Sequence, residues 1–73
     1  MTKIENGTTV RYKYTLDFGA PRTFRGVGRI CGTTIVGISD AYVIQVIESS
    51  DNEPGEYIHV RAIGVSRARA LAA

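Results

Sequence analysis

Hydrophobic and polar residues alternate along the first third of the chain. From position 10 to position 16, Val, Tyr, Tyr and Leu occupy every second position, and Arg, Lys and Thr lie between them. A period of two residues predicts a β-strand with one buried face and one face in solvent. Residues 17–21 contain Asp, Gly and Pro, which favour a turn, so we expect the strand to end there.

The next segment, residues 22–31, predicts a second strand, and one side of this strand carries two glycines. Phe24 and Ile30 share one side of this strand with Gly26 and Gly28. Two glycines on one side weaken a strand unless a neighbouring backbone needs the space, as at a sharp bend in a small barrel. We therefore interpret the two glycines as a bend of this kind.

The second half of the chain predicts a hairpin. Residues 42–48 are almost continuously apolar, which favours a central strand covered on both faces. A polar loop with Pro-Gly follows at residues 49–56, and residues 57–63 return as the partner strand. Ile58 and Val60 are expected to face the core. The residues expected to face solvent are Tyr57, His59 and Arg61.

Together these segments predict one all-β domain of about five antiparallel strands over residues 7–66. A short strand of about four residues is expected within 32–40, and a single turn is expected at residues 65–66. The two ends lack a tie to the sheet, so residues 1–6 are predicted to form a flexible N-terminal arm and residues 67–73 a flexible C-terminal tail.

The spacing of these elements resembles that of a known superfold. Its parts are Gly7-x-x-Val10-x-Tyr12, the segment Phe24 to Ile30, the segment Tyr42 to Val46, and Ile58-His59-Val60. This pattern resembles the SH3-like small β-barrel, and the resemblance implies a barrel of about five strands. Because that superfold hosts many unrelated functions, the function has to be argued from a site.

Three families within this superfold or of similar size invite comparison. The opening Gly7 to Val10 and the Gly26, Gly28 pair are similar to KOW-type modules, which implies non-specific binding of nucleic acid. A chain of this length is similar to type II dihydrofolate reductase, which implies a tetrameric enzyme, but the glutamine and tyrosine of its signature are absent from Ile58-His59-Val60. In size and general character the chain also resembles small phage-encoded regulators that bind RNA polymerase.

Charge is distributed unevenly along the sequence. Residues 1–36 carry six Lys and Arg against two Asp and Glu, residues 37–60 carry five Asp and Glu with no Lys or Arg, and residues 61–73 carry three Arg. Such asymmetry steers association with charged partners, so we expect one basic side and one acidic loop region.

Composition narrows the class of protein further. The single cysteine, Cys31, cannot form an internal disulfide, and we interpret it as a small half-buried residue in a reducing compartment. No stretch approaches the roughly 18 apolar residues of a membrane span, and no signal peptide is recognisable. We therefore expect a cytoplasmic, monomeric protein without membrane association, in the bacterial host cytoplasm if a phage encodes it.

Catalytic and metal-binding chemistry find little support in the residue pattern. His59 is the only histidine, and Cys31 with His59 gives two of the roughly four ligands that a zinc site needs. No pair of carboxylates lies at fixed spacing on a rigid element. We expect no enzymatic activity, no catalytic residues, no metal and no cofactor.

Binding through the basic side is the function that the pattern favours. Arg11, Lys13, Arg25 and Arg29 all fall on the outward positions of two strands that we expect to be neighbours. The predicted partner-binding residues are Lys3, Ile4, Arg11, Lys13, Arg22, Arg25 and Arg29. The first hypothesis is that the chain is a regulator that binds a protein of the bacterial transcription machinery such as RNA polymerase. Ile4 on the N-terminal arm would then be an apolar anchor. The alternative is contact of the same face with nucleic acid.

Overall fold

The computed structural model describes residues 3–68, and five antiparallel strands within them form one sheet. The strands are β1 (Thr9–Asp17), β2 (Pro21–Val36), β3 (Ser39–Ser49), β4 (Tyr57–Arg61) and β5 (Val65–Arg67), with a 3-10 turn at Ala62–Gly64. The spatial order is β4-β3-β2-β1-β5. The predicted all-β class with five antiparallel strands is confirmed. The two end strands, β4 and β5, do not pair with each other, so the sheet is not closed into a barrel.

The core lies on one side of this sheet, and alternation along the strands selects its members. Its buried residues are Val10, Tyr12, Ile30, Tyr42, Ile44, Val46 and Val60, with Ile4, Tyr14, Ile58, Ala62 and Val65 packed against them. The predicted inward side of β1 and the predicted inward side of β4 are therefore confirmed. We call the opposite side of the sheet the outer face.

Strand β3 is central between β4 and β2, but it is not buried on both faces as expected. Tyr42, Ile44 and Val46 are buried, whereas Val43 between them is half-buried and Ile47 is 45% exposed. No second layer covers the outer face in the described part of the chain, so the apolar residues of β3 on that side remain partly in solvent.

Strand β2 is longer than predicted, because residues 33–36 continue it and do not form a separate strand. Its pairing with β3 is interrupted between Val27 and Gly28 and again between Ile30 and Gly32. At the second interruption Cys31 is exposed, which corrects the expectation that it is half-buried. Interruptions of this kind bend a strand and increase its twist, so β2 can curve around the core.

The predicted close approach of a neighbouring backbone at the two β2 glycines is confirmed, although the sheet is not closed into a barrel. A Cβ on Gly26 would lie 2.7 Å from the carbonyl oxygen of Glu48 and 2.7 Å from the ring of Tyr12. A Cβ on Gly28 would lie 2.7 Å from the carbonyl oxygen of Gln45 and would overlap the side chain of Ile44. These glycines let β3 and the Tyr12 ring approach the backbone of β2.

The end of the described chain differs from the prediction. Residues 65–66, expected as a turn, belong to β5, which pairs with Val10–Tyr12 of β1. The amide of Ala68 also donates a hydrogen bond to the carbonyl of Thr9 at 3.1 Å. The rest of the predicted tail, residues 69–73, lies outside the described residues.

The described part of the predicted N-terminal arm packs on the core. The amide of Ile4 donates a hydrogen bond to the hydroxyl of Tyr42 at 3.0 Å, and the amide of Gly7 donates to the carbonyl of Ile30 at 2.7 Å. The Ile4 side chain is half-buried against the core. Residues 1–2 lie outside the described residues.

Replacing Gly28 tests the close approach of β2 and β3. We expect Gly28→Ala to lower the free energy of unfolding by about 1–3 kcal/mol, because the added methyl overpacks the contact with Ile44. The control is Gly32→Ala on the same strand, where nothing lies within 4 Å of the added atom, and where we expect no loss. Urea unfolding measures both, and equal effects of the two variants would contradict the packing described.

Replacing Val46 tests which side of β3 is buried. Val46 is 2% exposed, so Val46→Asp places an unpaired carboxylate in a core whose total stability is about 5–15 kcal/mol at most, and we expect unfolding. Ile58→Asp is expected to be strongly destabilising for the same reason. The neighbouring substitution Ile47→Asp should leave a cooperative thermal transition, recorded by circular dichroism. A normal transition for Val46→Asp would refute the core assignment.

Candidate binding face

The register of β1 and β2 brings four cations together on the outer face. Arg11 lies opposite Val27, Lys13 lies opposite Arg25, and Arg29 lies opposite Thr9. All four cationic side chains are on exposed residues. We call the surface formed by Arg11, Lys13, Arg25 and Arg29 the basic face.

The cations of the basic face form no ion pair within the described residues. The one ion pair found in residues 3–68 joins Arg22 to Asp51, at 3.5 Å. Lys13 and Arg25 are directly opposite each other, and like charges in that position repel. The surface therefore carries an unfavourable local charge density that a bound anion would relieve.

Arg22, predicted to join this surface, lies on the other side of the sheet. It is opposite Leu16, its guanidinium lies 4.6 Å from the centre of the Phe24 ring, and it pairs with Asp51. The sequence places Arg22 three residues before Arg25, so the two point to opposite faces of one strand.

Lys3 and Ile4, also predicted to bind the partner, lie apart from the basic face. Ile4 packs on the core, as described above. Lys3 lines a separate pocket of about 670 Å³ together with residues such as Ile35 and Tyr42. The structure thus brings together four of the seven predicted residues and leaves Lys3, Ile4 and Arg22 elsewhere.

An open groove of about 920 Å³ runs over the basic face. Its lining includes Arg11, Lys13, Arg25 and Val27 but not Arg29, so the groove covers three of the four cations. Residues 63–66 beside β1 and residues 48–50 at the end of β3 also line it. Ile63 is 92% exposed, so an apolar side chain borders the cations.

The backbone of Arg25 is held by side chains where β3 ends. The hydroxyl of Ser49 donates to the carbonyl of Arg25 at 2.6 Å, and the amide of Arg25 donates to the carboxylate of Asp51 at 3.1 Å. The Ser49 hydroxyl also accepts from the amides of Asp51 and Asn52. These bonds continue the pairing of β2 after the β3 ladder stops, so they fix the position of Arg25.

Asn52 ties the polar loop to β1. The hydroxyl of Tyr12 donates to the Oδ1 atom of Asn52 at 2.6 Å, and the Nδ2 atom of Asn52 donates to the hydroxyl of Tyr14 at 2.8 Å. Burial raises the pKa of the Tyr12 hydroxyl above its ordinary value of 10.0, and nearby groups including Asp51 add to this effect. The hydroxyl therefore remains a donor at neutral pH. Asn52 carries no periodic signal, and sequence inspection missed it.

The aromatic residues of the hairpin lie on the side opposite the basic face. The rings of Tyr14 and Phe24 stack with centres 5.0 Å apart and planes 2° apart, and Tyr12 follows at 6.1 Å from Tyr14. Phe18, at the tip of the hairpin, is 87% exposed. Aromatic rings are thus not interleaved with the four cations.

Residues that could support other chemistry are dispersed. His59 is exposed on β4 opposite Val43, as predicted. Within residues 3–68, no three of His, Cys, Asp and Glu are close enough to hold a metal ion. The same residues contain no helix long and apolar enough to cross a membrane.

Comparison with known proteins gives no assignment, because neither a family model, nor a curated protein, nor a solved structure matches the chain. Only the geometry of the chain itself therefore bears on its function.

Removing the Asn52 side chain tests the link between the loop and the sheet. We expect Asn52→Ala to cost about 1–3 kcal/mol of unfolding free energy, because the Tyr12 hydroxyl, on a residue 2% exposed, loses its acceptor. In a chain that already carries Tyr12→Phe, Asn52→Ala should lower the free energy of unfolding by measurably less. Urea unfolding of the four proteins gives the coupling energy. Strict additivity would show that the bond contributes nothing.

Proposed function

We propose that this chain is a non-enzymatic binding module that docks its basic face on an acidic surface of another protein. The observation that carries the proposal is the set of four exposed cations without ion pairs on one side of two paired strands. Like charges that lie opposite each other on neighbouring strands repel in the free protein, and an anionic partner would replace this repulsion with attraction.

A protein partner is favoured by the apolar residues beside the cations. Val27 and Ile63 both line the groove, and apolar side chains at the centre of an interface exclude water. Aromatic rings, which stack on nucleic-acid bases, lie on the opposite side of the hairpin. This combination fits an acidic protein segment better than a row of bases.

Within this proposal the partner is a protein of the bacterial transcription machinery such as RNA polymerase. The chain would act by covering part of that protein's surface. The support is the resemblance of the chain, in size and general character, to small phage-encoded regulators that bind RNA polymerase.

Nucleic acid is the second candidate, and one specific observation favours it. The hydroxyls of Thr9, Thr15 and Thr23 lie on the same outer face as the cations, and the last two are 3.1 Å apart. Hydroxyl and cationic side chains together are the groups that contact phosphates.

Charge reversal on β2 tests the proposed face. We expect Arg25→Glu combined with Arg29→Glu to weaken binding to purified bacterial RNA polymerase by about 100-fold or more, since each reversal costs at least about 1.4 kcal/mol. The control is Arg61→Glu combined with Arg67→Glu, which makes the same change of charge on β4 and β5, outside the basic face. Biolayer interferometry measures the affinities.

The results separate the two candidates. Steep loss of affinity with salt, together with a shift of single-stranded oligonucleotide in a gel, supports phosphate contacts. Unchanged RNA polymerase binding by the Arg25, Arg29 variant would show that the basic face is not the docking surface.

A further inference from the structure

The cations of the basic face form successive rows with a regular spacing. Arg29 belongs to one row, Arg11 to the next, and Lys13 with Arg25 to the third, because outward side chains recur every second residue. Rows two residues apart are separated by about 6.8 Å. Three rows therefore span about 14 Å along the strands.

The arrangement of the cations sets the direction of a bound chain. All four lie on two neighbouring strands, β1 and β2, which are about 4.8 Å apart, whereas they extend over three rows along these strands. Ser66 on β5 and Glu48 on β3 flank the middle row. A chain that contacts all three rows therefore runs along β1 and β2.

An extended peptide has the same period as the rows. Its alternate side chains point to one side and are also about 6.8 Å apart. Acidic residues at every second position would each reach one row of cations, and the intervening residues would face solvent. Contiguous acidic residues would direct only every second carboxylate toward the cations.

We propose that the basic face binds an extended acidic segment of the partner, with Asp or Glu at alternate positions. This inference rests on the proposed function and adds the pattern that the partner must carry. Glu48 lies opposite Val27 and repels a carboxylate on the β2 side of the middle row, so the acidic side chain in that row lies toward Arg11.

Two synthetic peptides of equal composition test the alternation. Each has about six residues, half Asp and half Ser, which covers about 20 Å when extended. One peptide alternates Asp with Ser, and the other has its Asp residues contiguous. With fluorescein labels and low salt, fluorescence anisotropy should show about tenfold tighter binding of the alternating peptide to the wild-type chain.

Variants assign the difference to the groove. Arg25→Glu combined with Arg29→Glu should abolish the preference, and Arg61→Glu combined with Arg67→Glu should retain it. Glu48→Gln should tighten binding of the alternating peptide by a few-fold. Circular dichroism establishes that each variant is folded.

Three outcomes would overturn the inference. Equal or tighter binding of the contiguous peptide would refute the preference for alternating acidic residues and leave the proposed function intact. Tighter binding of a thymidine oligonucleotide than of both peptides, lost steeply with salt, would assign the groove to phosphates. If neither peptide binds and RNA polymerase binding survives charge reversal of the basic face, both the inference and the proposed function fail.

Discussion

The packing of the Tyr12 ring over Gly26 fixes the register on which both faces of the sheet depend. The two residues are directly opposite on β1 and β2, and a Cβ on Gly26 would collide with the tyrosine ring. The Tyr12 hydroxyl then reaches Asn52 in the polar loop. Since the side-chain period of a strand is two, a slip by one residue would exchange the buried side with the outer side. One contact thus secures the core and the basic face together.

The open sheet makes the ends of its strands important. A chain of this size buries only about 60% of its unfolded surface, so unpaired backbone is costly. Ser49 and Asp51 bond the backbone of Arg25 where β3 stops, and Asn52 connects the same loop to Tyr12. The loop that looked only acidic and polar in the sequence therefore holds one of the four cations in place.

Much of the fold could be predicted because it follows from alternation. The sides of β1 and the space required at Gly26 and Gly28 follow from the period of a strand, and the four cations share a face for the same reason. The three residues of β5 are too few to show a period, so the sequence predicts a turn at residues 65–66 and a flexible tail from residue 67. Long-range contacts, such as that of Asn52 with Tyr12, have no local signal in the sequence.

The candidate site was predictable to the extent that register alone decides it. Arg22 is predicted to join the basic face, but on β2 it shares the side of Phe24 and lies opposite Leu16. Ile4 was interpreted as part of a free arm, although its amide bonds to Tyr42, a residue 38 positions away. The side of Arg22 follows from its position on β2, whereas the contact of Ile4 with Tyr42 cannot be inferred without knowing how the chain folds back on the sheet.

The register of β1 on β2 is tested most directly by nuclear Overhauser contacts between backbone protons of the two strands. This register predicts cross-strand contacts within the pairs Arg11–Val27 and Lys13–Arg25. Contacts of Arg11 with Gly26 or with Gly28 as its direct partner would contradict it, since the cations would then no longer share a face.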